Sequence, residues 1–324
     1  MLVESVPNIS EGRRLDVIER LAGALTSIPG VYLLDRTSDG SHNRSVFTVA
    51  GEHEAVTAGL DRLIAAAIDE IDMDEQLGEH PRIGAVDVVP FVPLGDTTLD
   101  DCIELARSFG SRIATRYHLP VYLYASAASR SDRVKLADVR RGQYEGLKVE
   151  IAQNGRQPDF GPARMHPRAG ALAVGARPFL IAWNINLASE DVELAKRIAR
   201  RVRESGGGLP RLQGNGFRVE EPERGFPVRA QVSMNLLDFR VTPLWRAWEA
   251  VEALAAEDGV TLAESELIGL APLAAFLDVA DHAGAPADAP IDERLAAAAA
   301  AIKLRDFSPL MALELRLADA RGRT

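Results

Sequence analysis

Hydrophobic and polar positions along this chain switch repeatedly between two periods, and the switches come in the same order twice. In the first half, apolar residues alternate over Leu2–Val6 as in a strand and then recur at helical spacing over Arg13–Thr26. Val31–Asp35 and Ser45–Ala50 read as strands, Glu54–Glu70 as an amphipathic helix and Val86–Val92 as a buried, β-branched strand. A further helix, Leu99–Arg116, and a strand, Val121–Tyr124, extend this half. The second half opens with a strand over Phe179–Ile185 and a helix over Glu190–Ser205. Strands near Arg218–Glu220 and Arg229–Met234, a helix near Pro243–Glu257 and a strand near Glu264–Leu270 follow.

Both halves therefore read β-α-β-β-α-β, the ferredoxin-like order. The expected fold is α/β (α+β), with two similar subdomains split near Arg177: residues 1–177, and residues 178–324 with a C-terminal helical tail. Each sheet would have helices on one face, and the other faces would be buried against each other or across a ligand cleft. The final strand of each half meets a proline-leucine pair, Pro93-Leu94 or Pro272-Leu273, and leads into another helix. Ala285–Pro290 reads as a linker before a helix from Ile291 to about Leu304. Gly206-Gly207-Gly208 reads as a flexible connection, and Gly214-Asn215-Gly216 as a turn or bulge.

With 324 residues, 47% of them hydrophobic and 26% charged, the composition is that of a soluble globular protein. No apolar run is long enough for a membrane helix, and the N-terminus lacks a secretory pattern, so a cytoplasmic protein without a membrane partner is expected. Cys102 cannot form an internal disulfide and sits in a helical apolar pattern, as a buried structural thiol would. The net charge of −10 argues against nucleic acid as a partner. Yet between Phe160 and Ser189 there is no Asp or Glu, while Arg164, His166, Arg168 and Arg177 all lie there. That segment is either a solvated basic loop or a landing site for carboxylates.

The histidines show no zinc-ligand spacing and there is no thiolate cluster, so no metal is expected. No G-x-S-x-G is present to support serine-hydrolase chemistry. Chemistry concentrates instead in Gly78-Glu79-His80-Pro81-Arg82-Ile83, just before the strand at Val86. Proline after His80 restricts its backbone, which suits a placed proton-transfer group and equally an ordinary turn. Glu79 can orient the imidazole or attract a cation, or be a solvated turn carboxylate. Arg44 and Arg82 can grip substrate carboxylates in bidentate fashion or form structural ion pairs.

The segment Gly78–Pro93 resembles the signature of the glutamate formiminotransferases. So do Val6–Arg13 (VPNISEGR), Asn43–Val46 (NRSV), Pro120–Tyr124, Pro158–Pro162, Gly175–Phe179, Asn184–Leu187 and Asn235–Phe239, in family order over nearly the whole chain. The resemblance covers the formiminotransferase module, without the cyclodeaminase domain of the bifunctional members. It implies transfer of the formimino group of N-formimino-L-glutamate to N5 of tetrahydrofolate, a co-substrate, giving 5-formiminotetrahydrofolate and glutamate in histidine degradation. It implies His80 as the catalytic proton shuttle, a folate tunnel between the subdomains and a homodimer. The family's folate segment falls on Gly161, Pro162, Ala163, Arg164, Met165, His166, Pro167, Arg168, Ala169 and Gly170. Ala169 stands where members of the family carry a tryptophan. Asn8, Asn43, Arg44, Glu79 and Arg82 are the candidate substrate contacts. The rival expectations are a glycine formiminotransferase, an enzyme processing 5-formyltetrahydrofolate, and a non-catalytic folate-binding module.

Overall fold

The computed structural model describes residues 1–221 and 226–323, which fall into two compact units, Met1–Pro178 and Phe179 onward. Among the described residues there are two sheets and ten α-helices.

In the first unit the N-terminal strand is broken. β1 (Leu2–Ser5) and β2 (Asn8–Ile9) flank Val6-Pro7, where proline has no N–H to give to a ladder. After α1 (Leu15–Thr26) come β3 (Tyr32–Asp39), β4 (Arg44–Glu52), α2 (His53–Glu70), β5 (Val86–Pro93), α3 (Leu99–Tyr117) and β6 (Val121–Ala125). The short helices α4 (Leu136–Val139) and α5 (Gln143–Glu150) then lead to β7 (Leu172–Ala176). β1 and β2 both pair antiparallel with β4 and with β5, so the broken strand lies between them. β3 pairs with β4, while β5, β7 and β6 continue the sheet in parallel.

The main core of this unit lies between the sheet and α1, α2 and α3. It includes Leu21, Leu25, Phe47, Leu60, Phe91 and Phe109, all at 1% exposure or less. Phe91 and Phe109 meet edge to face at 5.4 Å, tying α3 to β5. Thr98 and Asp101 form a reciprocal capping box at the start of α3. A second, smaller cluster joins Val88, Tyr122, Tyr124 and Ala173 to Val139 and Leu147, so α4 and α5 cover that part of the sheet. Cys102 is fully buried, and burial pushes its thiol up to about 12, as for a structural residue.

The second unit contains β8 (Ile181–Leu187), α6 (Val192–Val202), β9 (Leu212–Glu221), β10 (Phe226–Leu236), α7 (Leu244–Ala256) and β11 (Leu262–Ile268). Helices α8 (Leu273–His282), α9 (Ile291–Ala301) and α10 (Leu313–Gly322) complete it. Its sheet runs β11-β8-β10-β9, antiparallel throughout. β8 shows the period of two plainly. Ile181, Trp183, Ile185 and Leu187 are buried, while Asn184 and Asn186 take the alternate positions.

Several expectations change. Gly214-Asn215-Gly216 is neither turn nor bulge: it lies inside β9, paired in continuous register with Val232–Met234. Gly206-Gly207-Gly208 is a close-packed turn and not a flexible connection. A Cβ on Gly206 would strike the Arg200 carbonyl, and one on Gly208 would strike those of Arg201 and Val202. α4, α5 and β7 have no counterpart in the sequence-based expectation, and α10 falls in the expected C-terminal helical tail.

Candidate functional site

Three sequence motifs converge at the C-terminal side of β2. Ser10 Oγ donates to Gly84 O at 2.7 Å, and Ser45 Oγ donates to Glu11 O at 2.5 Å. The Gly12 amide donates to Asn43 Oδ1 at 2.9 Å. Asn43, in the left-handed region at φ 49°, also donates through Nδ2 to Leu77 O, and its own carbonyl accepts from Gln76 Nε2. Glu11, buried, accepts from the amides of Arg13 and Arg14, both at 2.9 Å, at the start of α1. Asn43 is thus committed to holding backbone. Asn8, half-buried in β2, donates to Val6 O at 3.4 Å.

The loop that carries His80 is clamped between these motifs and the segment Gly161–Gly170. Arg82 is 5% exposed, and its guanidinium is fully occupied. Nε donates to Gln76 Oε1 at 2.8 Å, and the terminal nitrogens reach Gln76 O, Gln143 Oε1 and both oxygens of Glu145. It offers no free N–H to a substrate, so its place in this structure is that of a structural hub. Glu79 is exposed beside it. Downstream, Ala85 N donates to Ala169 O and Ala171 N to Ile83 O, both at 2.9 Å. A Cβ on Gly84 would collide with the Ala171 carbonyl, so only glycine allows this approach. Residues 79–85 and the end of segment 161–170 are therefore hydrogen-bonded neighbours.

Within that segment, His166 and Gly170 exchange backbone hydrogen bonds across a tight loop. His166 Nδ1 accepts from the amides of Arg168 and Ala169. Burial and the neighbouring Arg168 lower the His166 pKa. Arg168 donates to the carbonyls of Ile68 and Asp69, capping the last turn of α2. Gly161 at φ 85° and Gly170 at φ 71° bracket the segment, and Met165 packs on both cores. Ala169 is buried; Pro162 is half-buried, and Ala163 and Pro167 are exposed. Arg164 is exposed and makes no ion pair among the described residues. A cleft of about 420 Å³ borders Arg168, lined also by Arg13, Arg14, Asn43, Gln76 and Glu11. Glu70, Asp72 and Glu75 line it as well, so it is mixed in charge.

His80 itself is half-buried, and its ring makes no hydrogen bond among the described residues. Burial, then the charges of Arg44, Arg140, His42 and Arg82, lower its pKa to about 3. The imidazole is therefore neutral at pH 7. Among these groups, Arg82 is paired with Glu145, His42 with Asp39 at 2.9 Å, and Arg140 with Asp87. Asp87, 1% exposed, also accepts from Ile83 N at 2.7 Å. Burial raises its pKa, opposed by Arg140. Arg44, half-buried at the first position of β4, has no partner for its guanidinium among the described residues. Arg140 belongs to no motif read from the sequence, and Asp87, inside the Gly78–Pro93 signature, is given no role there. Only the fold brings the residue after α4 against the interior of β5.

In the second unit a polar face opposes the buried one. Asn186, 1% exposed, accepts from Gln231 Nε2 at 2.9 Å and donates to Glu264 at 3.2 Å. Asn184 donates to Glu266 at 3.2 Å, and Arg305 bonds both glutamates. Among the described residues no helix is long and apolar enough to cross a membrane.

A neutral imidazole near guanidinium groups, on a loop hydrogen-bonded to the end of segment 161–170, has the chemistry to exchange a proton beside an anion. The family described as "Formiminotransferase domain, N-terminal subdomain" matches residues 2–177, and "Formiminotransferase domain" matches residues 182–304. The chain belongs to the formiminotransferase family. It is 42% identical to a glutamate formimidoyltransferase of Streptococcus pyogenes serotype M1, over 87% of this chain and 92% of that protein. The corresponding protein of Thermoplasma acidophilum is 46% identical over 87% and 91%. The formimidoyltransferase-cyclodeaminase of Rattus norvegicus is 44% identical over 86% of this chain and 52% of its own length.

Proposed function

We propose that this chain transfers the formimino group of N-formimino-L-glutamate to N5 of tetrahydrofolate, releasing L-glutamate. Both family matches and two glutamate formimidoyltransferases aligned over nearly their whole length support this reading. The observation that carries it at the level of residues is the direct hydrogen bonding of the His80 loop to the segment ending at Gly170.

The donor is an amidine, electrophilic when protonated. N5 of the folate attacks its carbon and must shed a proton as the new C–N bond forms. His80, neutral at pH 7, is in the state that can take that proton. Collapse of the tetrahedral intermediate breaks the old C–N bond, and the imidazolium returns the proton to the departing glutamate nitrogen. No oxyanion develops, so positioning and proton transfer carry the acceleration. Gly161–Gly170 then lies along the folate, with Arg164 free to meet its glutamate tail. Asn8, Asn43, Glu79 and Arg82 shape the loop, while Arg44 remains free to meet substrate. In both units the second, third, first and fourth strands lie side by side, which supports a ferredoxin-like reading of each. A cytoplasmic homodimer completes the proposal.

The test is a spectroscopic transfer assay with formiminoglutamate and tetrahydrofolate, run beside H80Q. Loss of general acid–base catalysis is expected to lower turnover about a hundred- to ten-thousandfold, or about 3 to 5 kcal/mol of barrier. Folate affinity should stay near that of the unmodified protein. H80Q retaining more than about a tenth of the turnover would remove His80 from the proton path.

A further inference from the structure

We propose that Arg44 and Arg140 together hold the α-carboxylate of the formimino donor, and that filling this site makes His80 a competent base. This rests on the transfer reading above and adds to it the residues that recognise the donor.

Arg44 brings a half-buried guanidinium with no hydrogen bond or ion pair among the described residues. Arg140 uses one terminal nitrogen on Asp87, while its buried Nε has no partner. The two cations repel: Arg140 lowers the pKa of Arg44, after burial itself. A desolvated guanidinium beside a second one is costly unless an anion completes the site. Asp39 and Asp87 attract Arg44, but neither bonds it: Asp87 gives one oxygen to Arg140 and the other to Ile83 N. Ser45 of β4 and Val86 of β5 both pair with Ile9, so Arg44 and Asp87, which holds Arg140, lie next to them on the opposite face of the sheet, where a planar carboxylate suits guanidinium groups in shape and charge.

The same two arginines are the strongest charges acting on His80. They therefore lie near the proton that His80 moves. In the donor, the α-carboxylate is bonded to the carbon that bears the reacting nitrogen. The side-chain carboxylate is farther along, and the folate carboxylates lie beyond its aminobenzoyl ring. The α-carboxylate is the anion that fits this position. The other charges facing His80 are already paired: His42 with Asp39 before β4, and Arg82 with Glu145 of α5. Arg44 has no partner among the described residues, and Arg140, beside its pair with Asp87, keeps a buried Nε unbonded, so these two are open to a ligand. An empty site keeps the imidazole a weak base; an occupied one relieves the repulsion and strengthens it.

Two donors separate this from a general role in folding or folate binding. N-formimino-4-aminobutyrate keeps the side-chain carboxylate of formiminoglutamate and lacks the α-carboxylate. R44Q should lower kcat/KM for formiminoglutamate about ten- to hundredfold relative to kcat/KM for N-formimino-4-aminobutyrate, with R44K between R44Q and the unmodified protein. In the second arm, the His80 imidazole is followed by NMR, assigned by its loss in H80Q. Saturating L-glutamate should raise its pKa by about one unit or more in the unmodified protein and not in R44Q. Equal penalties on both donors, no penalty on either, or a His80 titration that glutamate does not move would each overturn the proposal. An unmodified protein that binds glutamate with this response but transfers nothing would overturn the transferase reading and leave the carboxylate site standing.

Discussion

Arg82 shows how a motif residue can matter without touching substrate. Its position two residues after His80 suggests a carboxylate grip, yet each of its hydrogen-bonding nitrogens is spent on Gln76, Gln143 and Glu145. The planar fork fixes the loop from three directions at once. A lysine keeps the charge but has three donors on a single nitrogen and cannot span those partners. R82K should therefore fold with a stability loss of about 1–3 kcal/mol in urea unfolding, with buried acceptors left unpaired. Turnover should fall more than the Michaelis constants rise, because His80 is misplaced while the binding groups persist. A purely elevated Michaelis constant for the donor would instead make Arg82 a substrate contact.

At the scale of elements, legibility followed how local each cause is. β4, β5, α2 and α3 were readable because their periodicity is written in contiguous residues and their ends carry caps or breakers. β7 was not, because Leu172–Ala176 is a short run of small apolar residues whose strand character comes from parallel pairing with β5 and β6. The histidine loop was legible as chemistry, while Arg140 was not, since its meaning depends on Asp87 across the fold. The basic stretch after Phe160 reads in sequence as either a solvated loop or a landing site for carboxylates, and the structure divides it. Arg168 is occupied at the end of α2, whereas Arg164 is exposed and unpaired. R168E should lower stability by about 1 kcal/mol, by losing a helix C-terminal cation and placing a carboxylate there. R164E should leave stability unchanged and weaken folate binding more at low salt than at high salt. If R164E left folate affinity unchanged at low salt, the glutamate tail would lie elsewhere.

Over the whole molecule, a chain with net charge −10 keeps a cationic, partly desolvated centre around one histidine, and that arrangement should be visible in its stability against pH. In the folded protein His80 has a pKa of about 3; unfolded, it returns to its ordinary value near 6.5. Between those values the unfolded chain binds the extra proton, so acid favours unfolding and stability rises with pH. The contribution is absent above about pH 7, where both states are neutral, and grows as pH falls through 6.5. Its full slope is about 1.4 kcal/mol per pH unit, and at pH 5 the accumulated loss is about 1–2 kcal/mol once partial solvent exposure is allowed for. Carboxylates such as Glu11, whose pKa is lowered, also lose stability in acid, so the test is a difference between proteins. H80Q, which cannot titrate, should match the unmodified protein at pH 7.5 apart from a constant offset, and gain on it as the pH drops to 5. Tyrosine absorbance in urea is the suitable probe, because all five tyrosines lie in the unit that holds His80. Parallel stability curves from pH 5 to 7.5 would mean that the folded protein protonates His80 as readily as water does, and the cationic surroundings would then not govern its base strength.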